Sequence, residues 1–238
     1  MIYGRNGDLP FRISRSKIDL FLECPRCFWL DRKKGISRPG MPAFSLNSAV
    51  DALLKKEFDL LRESGQPHEL MKKYKIEAVP FKHKELDIWR NNFKGKEFYH
   101  KETNFLIFGA VDDIWINKKG ELHIVDYKST STENEISLED EYKSRYKNQV
   151  EIYQWIFLKS GFSVSPIAYF VYANAGKNRP KFDGRLEFEL EIISHKGDTS
   201  WVEPTIFAMK ECLDSDTIPE AGDNCEFCRY RSLASNIY

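Results

Sequence analysis

The chain reads as an α/β protein. Segments with the 3.6-residue apolar period of buried helices precede a block of apolar strands, and another such helix separates that block from two further strands. With 238 residues, 42% of them hydrophobic and 14% aromatic, it can fill the core of one large domain or of a domain with a helical elaboration.

Residues 1–13 open as an irregular stretch or short strand. Ser14 or Ser16 can cap a helix running to about residue 32, with Ile18, Phe21, Leu22 and Phe28 on its apolar side. Gly35 and the proline- and glycine-bearing stretch 37–42 make a loop. A second helix, capped by Ser45 and stopped by Gly65 and Pro67, carries Leu46, Val50, Leu53, Leu54, Phe58 and Leu61 as a buried stripe. The lysine-rich connection 67–94 holds a short helix at 84–92 with Leu86, Ile88 and Trp89. Strands near 97–102 and 104–117 follow. Lys118, Lys119 and Gly120 turn the chain into a hairpin whose second strand is 122–127. A polar loop, 129–141, leads to a helix at about 138–160 with Tyr146, Gln149, Val150, Tyr153, Ile156 and Phe157 on one face. Strands at 166–173 and 185–193, a helix at 199–213 and an irregular tail, 218–238, complete the chain.

The hairpin is the part that the rest serves. Leu106, Phe108 and Ala110 alternate with Ile107, Gly109 and Val111, so both faces of its first strand are apolar, as in a strand covered on both sides. Into this frame the sequence places Asp112, Asp113, Asp126 and Lys128. Carboxylates are depleted in strands, and a buried one has to be paired or metal-bound. About the turn, positions 112 and 126 fall opposite each other. Two facing carboxylates repel unless a cation lies between them, and hard divalent ions such as Mg²⁺ and Mn²⁺ prefer oxygen ligands. Lys128 shares a strand face with Asp126 because the period is two, whereas Asp113 points to the face opposite Asp112. An ordinary ion pair between Asp126 and Lys128 at a strand end would leave both with a purely structural role. Gly109 suits a point where another backbone or a ligand comes close. On the helix at 45–64, Asp51 shares a side with Leu54 and Phe58, and either pairs with Lys55 or aims inward at the strand acids. Gln149 and Tyr153, one turn apart, point the same way.

Lysine plus arginine equals aspartate plus glutamate, 36 each, so net charge neither favours nor excludes nucleic acid. The distribution is uneven. Residues 1–38 carry nine basic and four acidic side chains, residues 183–226 three and twelve. The basic stretch with Arg26, Arg32, Lys33, Lys34 and Arg38 can meet phosphates or form a solvated face. Phe28 and Trp29 would stack on bases if exposed and pack in a core if not. No apolar run reaches the ~20 residues that span a bilayer and no signal-peptide pattern opens the chain, so a cytoplasmic protein without a membrane partner is expected.

Gly109-x-Val111-Asp112, Asp126-x-Lys128 and Gln149-x-x-x-Tyr153, in that order, resemble the signature of PD-(D/E)xK nucleases in their RecB-like form. The resemblance covers residues 14–230 and is closest to the CRISPR-associated RecB-like exonucleases and AddB-type nuclease domains. It implies a restriction-endonuclease-like mixed sheet flanked by helices in a single nuclease domain, 1–238. Within it fall a helical amino-terminal part (1–95), a catalytic sheet and helix (96–195) and a carboxy-terminal helix with a cysteine tail (196–238). By the same resemblance Asp112, Asp126 and the backbone carbonyl of Tyr127 bind a catalytic Mg²⁺ or Mn²⁺. Lys128 activates the attacking water and stabilises charge on the phosphate, while Gln149 and Tyr153 position the strand or the lysine. The implied activity is metal-dependent hydrolysis of DNA, as an exonuclease on single strands or ends. A second reading is a nucleic-acid-binding or adaptor subunit of a DNA-processing or CRISPR spacer-acquisition complex, its nuclease activity dispensable. RecB-like members usually carry a histidine on the early helix in a Gly-x-x-x-His context. Asn47-Ser48-Ala49-Val50-Asp51 stands there, so Asp51 takes the histidine's place as a metal ligand.

Cys24-Pro25-Arg26-Cys27 and Cys225-Glu226-Phe227-Cys228 are two CxxC pairs near opposite ends of the chain. Outside a disulfide-forming compartment such pairs point to a tetrathiolate metal site that clasps the termini. Related nucleases hold a [4Fe–4S] cluster with one amino-terminal and three carboxy-terminal cysteines. The resemblance therefore implies a cluster here in a 2+2 arrangement, with Cys27 making up the count and Ala234 where the last cysteine would be. Structural Zn²⁺ is the alternative, since CxxC…CxxC is also its commonest spacing. Four unrelated thiols are the plainest reading. Cys212 falls on the apolar side of its helix and reads as a core residue.

Overall fold

The computed structural model describes every residue except 1, 5–6, 41–44, 140–142, 236 and 238. The end of the 37–42 loop, the junction of polar loop and helix near 140 and parts of both chain ends therefore lie outside the described residues. Packing divides the chain into two compact units. One comprises Met1–Pro42, Glu97–Phe108 and Thr199–Tyr238, the other Ala43–Lys96 and Gly109–Asp198. Among the described residues, no helix is long and apolar enough to cross a membrane.

In chain order the strands are β1 (Phe11–Ser14), β2 (Ala78–Pro80), β3 (Lys96–His100), β4 (Phe105–Gly109), β5 (Asp113–Asn117), β6 (Leu122–Thr130), β7 (Ile167–Ala175) and β8 (Phe188–Lys196). The helices are α1 (Arg15–Glu23), α2 (Pro25–Trp29), α3 (Ser45–Ser64), α4 (Glu69–Lys73), α5 (Leu86–Trp89), α6 (Ser144–Lys159), α7 (Val202–Asp214) and α8 (Glu226–Ser235), with a π-helical turn, Leu30–Lys34, after α2. The strands form two sheets, ordered β1-β4-β3 and β2-β5-β6-β7-β8. The larger sheet is mixed: β6 runs parallel to β7, and its other pairs are antiparallel. This is the expected α/β class, a mixed sheet flanked by helices.

In the second unit β6 is the spine of the five-stranded sheet. Val125 and Tyr127 face a core with Leu54 and Phe58 of α3, Met71 of α4, Trp115 and Val171. The alternate residue Lys128 turns toward α6, where it reaches Gln149. Every residue of α6 from Val150 to Phe157 is buried, so this helix is covered on more than one side. The hairpin turns as expected. Gly120 adopts φ +79°, and Asn117 Oδ1 accepts from the N–H groups of Lys119 and Glu121. The register Asp113↔Val125 places position 112 opposite 126.

Other elements depart from expectation for local reasons. The helix expected over 14–32 is broken, because proline disfavours a helical conformation in the residue before it. Cys24 is extended (φ −160°, ψ 101°), and α2 restarts with Pro25 in its first turn. The strand expected over 104–117 is divided between the two sheets as β4 and β5. Between them Val111 donates its N–H to the carbonyl of Trp89 (3.1 Å) instead of to a strand. The close approach read at Gly109 is real and needs a second glycine: a Cβ on Gly95, which has φ +66°, would lie 2.4 Å from the Gly109 carbonyl oxygen. On α3, Leu54 and Phe58 are buried but Leu46 and Leu53 are exposed; on α5, Leu86 and Trp89 are buried but Ile88 is exposed. The tail expected to be irregular forms α8, whose first turn closes with the N–H of Arg229 on the Cys225 carbonyl (3.0 Å).

The inner face of α3 ends in a charge. Arg62, one turn beyond Phe58, is buried, and its Nη2 donates to the fully buried Asp113 (2.5 Å). Asp113 also accepts from Arg90 Nη2 (2.9 Å) and from the Tyr127 hydroxyl (2.8 Å). Arg90 Nη1 forks onto both oxygens of Asp59 (2.8 and 2.9 Å). One carboxylate thus ties α3, the end of α5, β5 and β6 together. Replacing it leaves the buried Arg62 and the half-buried Arg90 with only the partly exposed Asp59 between them. Asp113→Ala is expected to cost about 3–5 kcal/mol in denaturant unfolding. A loss under about 1 kcal/mol, the scale of an exposed pair, would show that the network does not hold α3 to the sheet.

Candidate functional site

The site begins where the larger sheet forks. Pairing of β5 with β6 stops at Asp113↔Val125, while β6 continues beside β7 to Thr130. Beyond the fork, the Tyr127 N–H donates to Asp112 Oδ2 (2.9 Å) rather than to a strand neighbour. Asp112 is therefore in the bend before β5 and not within a strand, with its carboxylate laid against the edge of β6.

Helix α3 brings a second carboxylate to the same place. Lys55 Nζ donates to Asp51 Oδ2 (2.8 Å) and to Asp112 Oδ1 (3.5 Å). Asp51 pairs with Lys55, as one of its sequence alternatives has it, and through that lysine it is linked to Asp112. Burial raises the pKa of Asp51, and the charge of Asp112 adds to this against the pull of Lys55. Burial works against the charge on Lys55, but Asp112 and Asp51 outweigh it and hold its pKa up. Asp51 Oδ1 is buried and has no hydrogen-bond partner among the described residues. Two carboxylates that already share one cationic side chain, with a buried oxygen left over, are a donor set that fits a hard divalent cation.

Asp126, fully buried, pairs with Lys128. The Lys128 ammonium also donates to Gln149 Oε1 (3.4 Å) and lies 4.4 Å from the centre of the Tyr146 ring. Gln149 Nε2 in turn donates to the Tyr153 hydroxyl (3.4 Å). Burial opposes the charge on Lys128, yet Asp126 and then Asp112 raise its pKa. Asp51, Asp112, Tyr127 and Lys128 line one pocket of 320 Å³; Asp126 does not. A second pocket of 350 Å³ shares Lys128, Ser129 and Tyr146 with it. Sequence reasoning finds Lys55 only as a partner for Asp51, through their i,i+4 spacing, and Tyr146 only as a helix-face residue. No sequence signal links Lys55 to Asp112, 57 residues on.

In the first unit the thiols of Cys24, Cys27, Cys225 and Cys228 are buried, with their sulfurs all within 4.8 Å of one another. Among the described residues no other group of three or more such ligands gathers this closely. Cys24 Sγ accepts from the N–H groups of Cys27 (3.4 Å) and Gly222 (3.3 Å). Gly222 has no room for a side chain, since a Cβ there would lie 2.0 Å from the Glu23 carbonyl oxygen. Burial raises the pKa of Cys24, but these N–H groups and neighbouring thiols bring it down to about 7. For Cys228, burial and the other sulfurs both push upward. Cys212 stands outside the cluster, its thiol pushed up to about 11 by burial.

The basic residues expected to form a strand-binding path are engaged inside this unit instead. Arg26 donates to the Pro219 carbonyl (2.9 Å) and Glu220 (3.3 Å), and Lys33 to the Leu213 and Ser215 carbonyls and Asp216. Arg32 pairs with Asp31, Arg38 with Glu23, and Lys34 lies over the Trp29 ring. The basic start and acidic end of the chain thus offset each other. Phe28 and Trp29 are buried core residues, and neither is placed to stack on a base.

A solved structure described as the crystal structure of SSO0001 matches at 15% identity and a TM-score of 0.38, over 93% of this chain and 84% of that one, a likeness too distant to carry an argument. No curated protein matches in sequence. The family model of the PD-(D/E)XK nuclease superfamily, whose members are metal-dependent nucleases, matches residues 12–233, an interval that holds every site residue described above, and the chain belongs to that superfamily.

Proposed function

We propose that the protein is a divalent-metal-dependent deoxyribonuclease that acts as an exonuclease on single-stranded DNA or DNA ends. One observation carries the reading: Asp51, Asp112 and Lys128 line a single pocket, with Asp126 buried against that lysine. Superfamily membership supports metal-dependent phosphodiester hydrolysis. The preference for DNA and for ends rests on the RecB-like pattern of the three sequence motifs.

Asp51, Asp112, Asp126 and the Tyr127 carbonyl are the groups that would hold Mg²⁺ or Mn²⁺. Tyr127 suits the role because the N–H and C=O of one residue leave a strand on the same edge, and its N–H already meets Asp112. When bound, the cation supplies Lewis acidity that makes water nucleophilic near neutral pH and offsets charge on the phosphate. Lys55 keeps Asp51 and Asp112 gathered against their mutual repulsion. Lys128, held protonated by Asp126 and Asp112, donates to a phosphate oxygen and stabilises the charge that grows there. Gln149 fixes the lysine ammonium and Tyr153 fixes Gln149, so both position the cation. The adjoining pocket continues past Tyr146 between Ser129, Thr130 and Thr132, a polar channel for the strand beside the reacting phosphate.

Lys128→Ala and Asp126→Asn are each expected to slow Mg²⁺- or Mn²⁺-dependent degradation of end-labelled DNA by at least ~10²-fold, with DNA binding retained. Progressive shortening from one end would identify an exonuclease, internal cuts an endonuclease. No cleavage by the folded parent, or cleavage that survives both substitutions, would overturn the reading in favour of a binding or adaptor subunit.

Asp51→His restores the residue usual in RecB-like nucleases. Because nitrogen ligands favour transition metals over Mg²⁺, the ratio of Mn²⁺- to Mg²⁺-supported rates is expected to rise several-fold. An unchanged ratio, with full activity in Asp51→Ala, would remove Asp51 from the metal ligands.

A further inference from the structure

We propose that the four cysteines hold one tetrahedral zinc ion and not an iron–sulfur cluster. The inference concerns the first unit alone and does not depend on the nuclease reading.

Sulfur spacing carries it. Cys24 and Cys228 are 3.7 Å apart, Cys27 and Cys225 3.6 Å, and Cys27 and Cys228 3.6 Å. A single ion with metal–sulfur bonds of about 2.3 Å in a tetrahedron sets its sulfurs about 3.8 Å apart. In a [4Fe–4S] cluster each thiolate binds a different iron at an outer corner of a cube, which puts the thiolate sulfurs roughly 6 Å apart. The observed set, all within 4.8 Å, matches the first geometry and is too small for the second.

The backbone around the thiols opposes expansion. Gly222 packs where a Cβ would lie 2.0 Å from the Glu23 carbonyl oxygen, and its N–H reaches Cys24 Sγ. Spreading the two ends of the chain to admit a cube would break both contacts. The two CxxC pairs are also built alike. Cys24 and Cys225 each directly precede a helix, and Cys27 and Cys228 each sit in its first turn. Two equivalent turns presenting two sulfurs each suit a closed, four-coordinate site, and the 1+3 division of the cluster-binding relatives is absent. Four thiolates on a divalent ion carry two net negative charges. Arg38 answers part of that charge, with Nη2 on Cys225 Sγ (3.2 Å) and Nη1 on Glu23 (2.7 Å). Four buried thiolates would close the coordination shell with no open position, as a structural zinc site requires.

The test is metal and sulfide analysis of the full chain, purified anaerobically from cells supplied with both iron and zinc and washed with EDTA to clear the carboxylate site. The expected result is one zinc per chain, no acid-labile sulfide and no visible absorption band. A mercurial thiol reagent should release that zinc as the clustered thiols react, which needs no variant to fold. Cys27→Ser should lose the zinc and Cys212→Ser keep it. Iron with matching sulfide, a single iron without sulfide, or zinc that survives both the mercurial and Cys27→Ser would each overturn the assignment.

Discussion

A carboxylate stands in for a strand. Where β5 stops, the N–H of Tyr127 would be left without its ladder partner, and a buried N–H has to be satisfied. Asp112 supplies the acceptor. Had the hairpin continued, backbone atoms of residues 111 and 112 would have filled that edge and no pocket would open between β6 and α3. The bend instead sends the chain to a hydrogen bond with Trp89, and the freed edge of β6 is where Asp51, Asp112 and Lys128 meet a common space. The irregularity at 110–112 is thus what makes the site.

Neighbouring aspartates do opposite work because Asp112 lies in the bend and Asp113 begins β5. Asp113 turns into the interior, where two arginines, a tyrosine hydroxyl and the Ile114 N–H donate to it. Asp112 turns to the pocket with one backbone donor and a shared lysine. The first accepts from four fixed donors and serves stability. The second keeps company with like charge, an arrangement unfavourable by itself that a bound cation would relieve. Asp126 lies between these cases, buried like Asp113 but paired with the cation of the pocket.

Much of this was legible in the sequence, and the unread parts share a cause. Period-two and period-3.6 patterns located β6, α3 and α6, and they placed Asp126, Lys128, Gln149 and Tyr153 on matching elements. Hairpin arithmetic set 112 against 126. What local pattern could not convey was departure from ladder pairing. Apolar residues on both sides of Gly109 read as one strand, although the chain changes sheets there. Lys55 reaches Asp112 through tertiary packing that no spacing encodes. The basic start of the chain suggested phosphate binding because its acidic counterpart lies at the other end of the sequence. Arg62 was hidden for the converse reason: a charge on an inner helix face reads as solvent-exposed until its buried partner is known.

The two groups of candidate metal ligands differ as open and closed sites do. Oxygen donors in the second unit border a pocket and leave an Asp51 oxygen uncommitted, which suits an exchangeable hard cation that has to admit water and substrate. Sulfur donors in the first unit are sealed, mutually close and backed by N–H groups, which suits an ion that stays. Ligand chemistry would therefore keep the two proposed sites from competing. A soft ion gains little at Asp51 and Asp112, and Mg²⁺ gains nothing from four thiolates. If filled, such a closed centre would join the first and last segments of the unit beside its apolar core of Ile18, Phe28, Val202, Ile206 and Leu213. Leu20 and Ala221 are partly buried apolar side chains packed against the cluster, so the sulfurs would meet the rest of the unit through apolar contact.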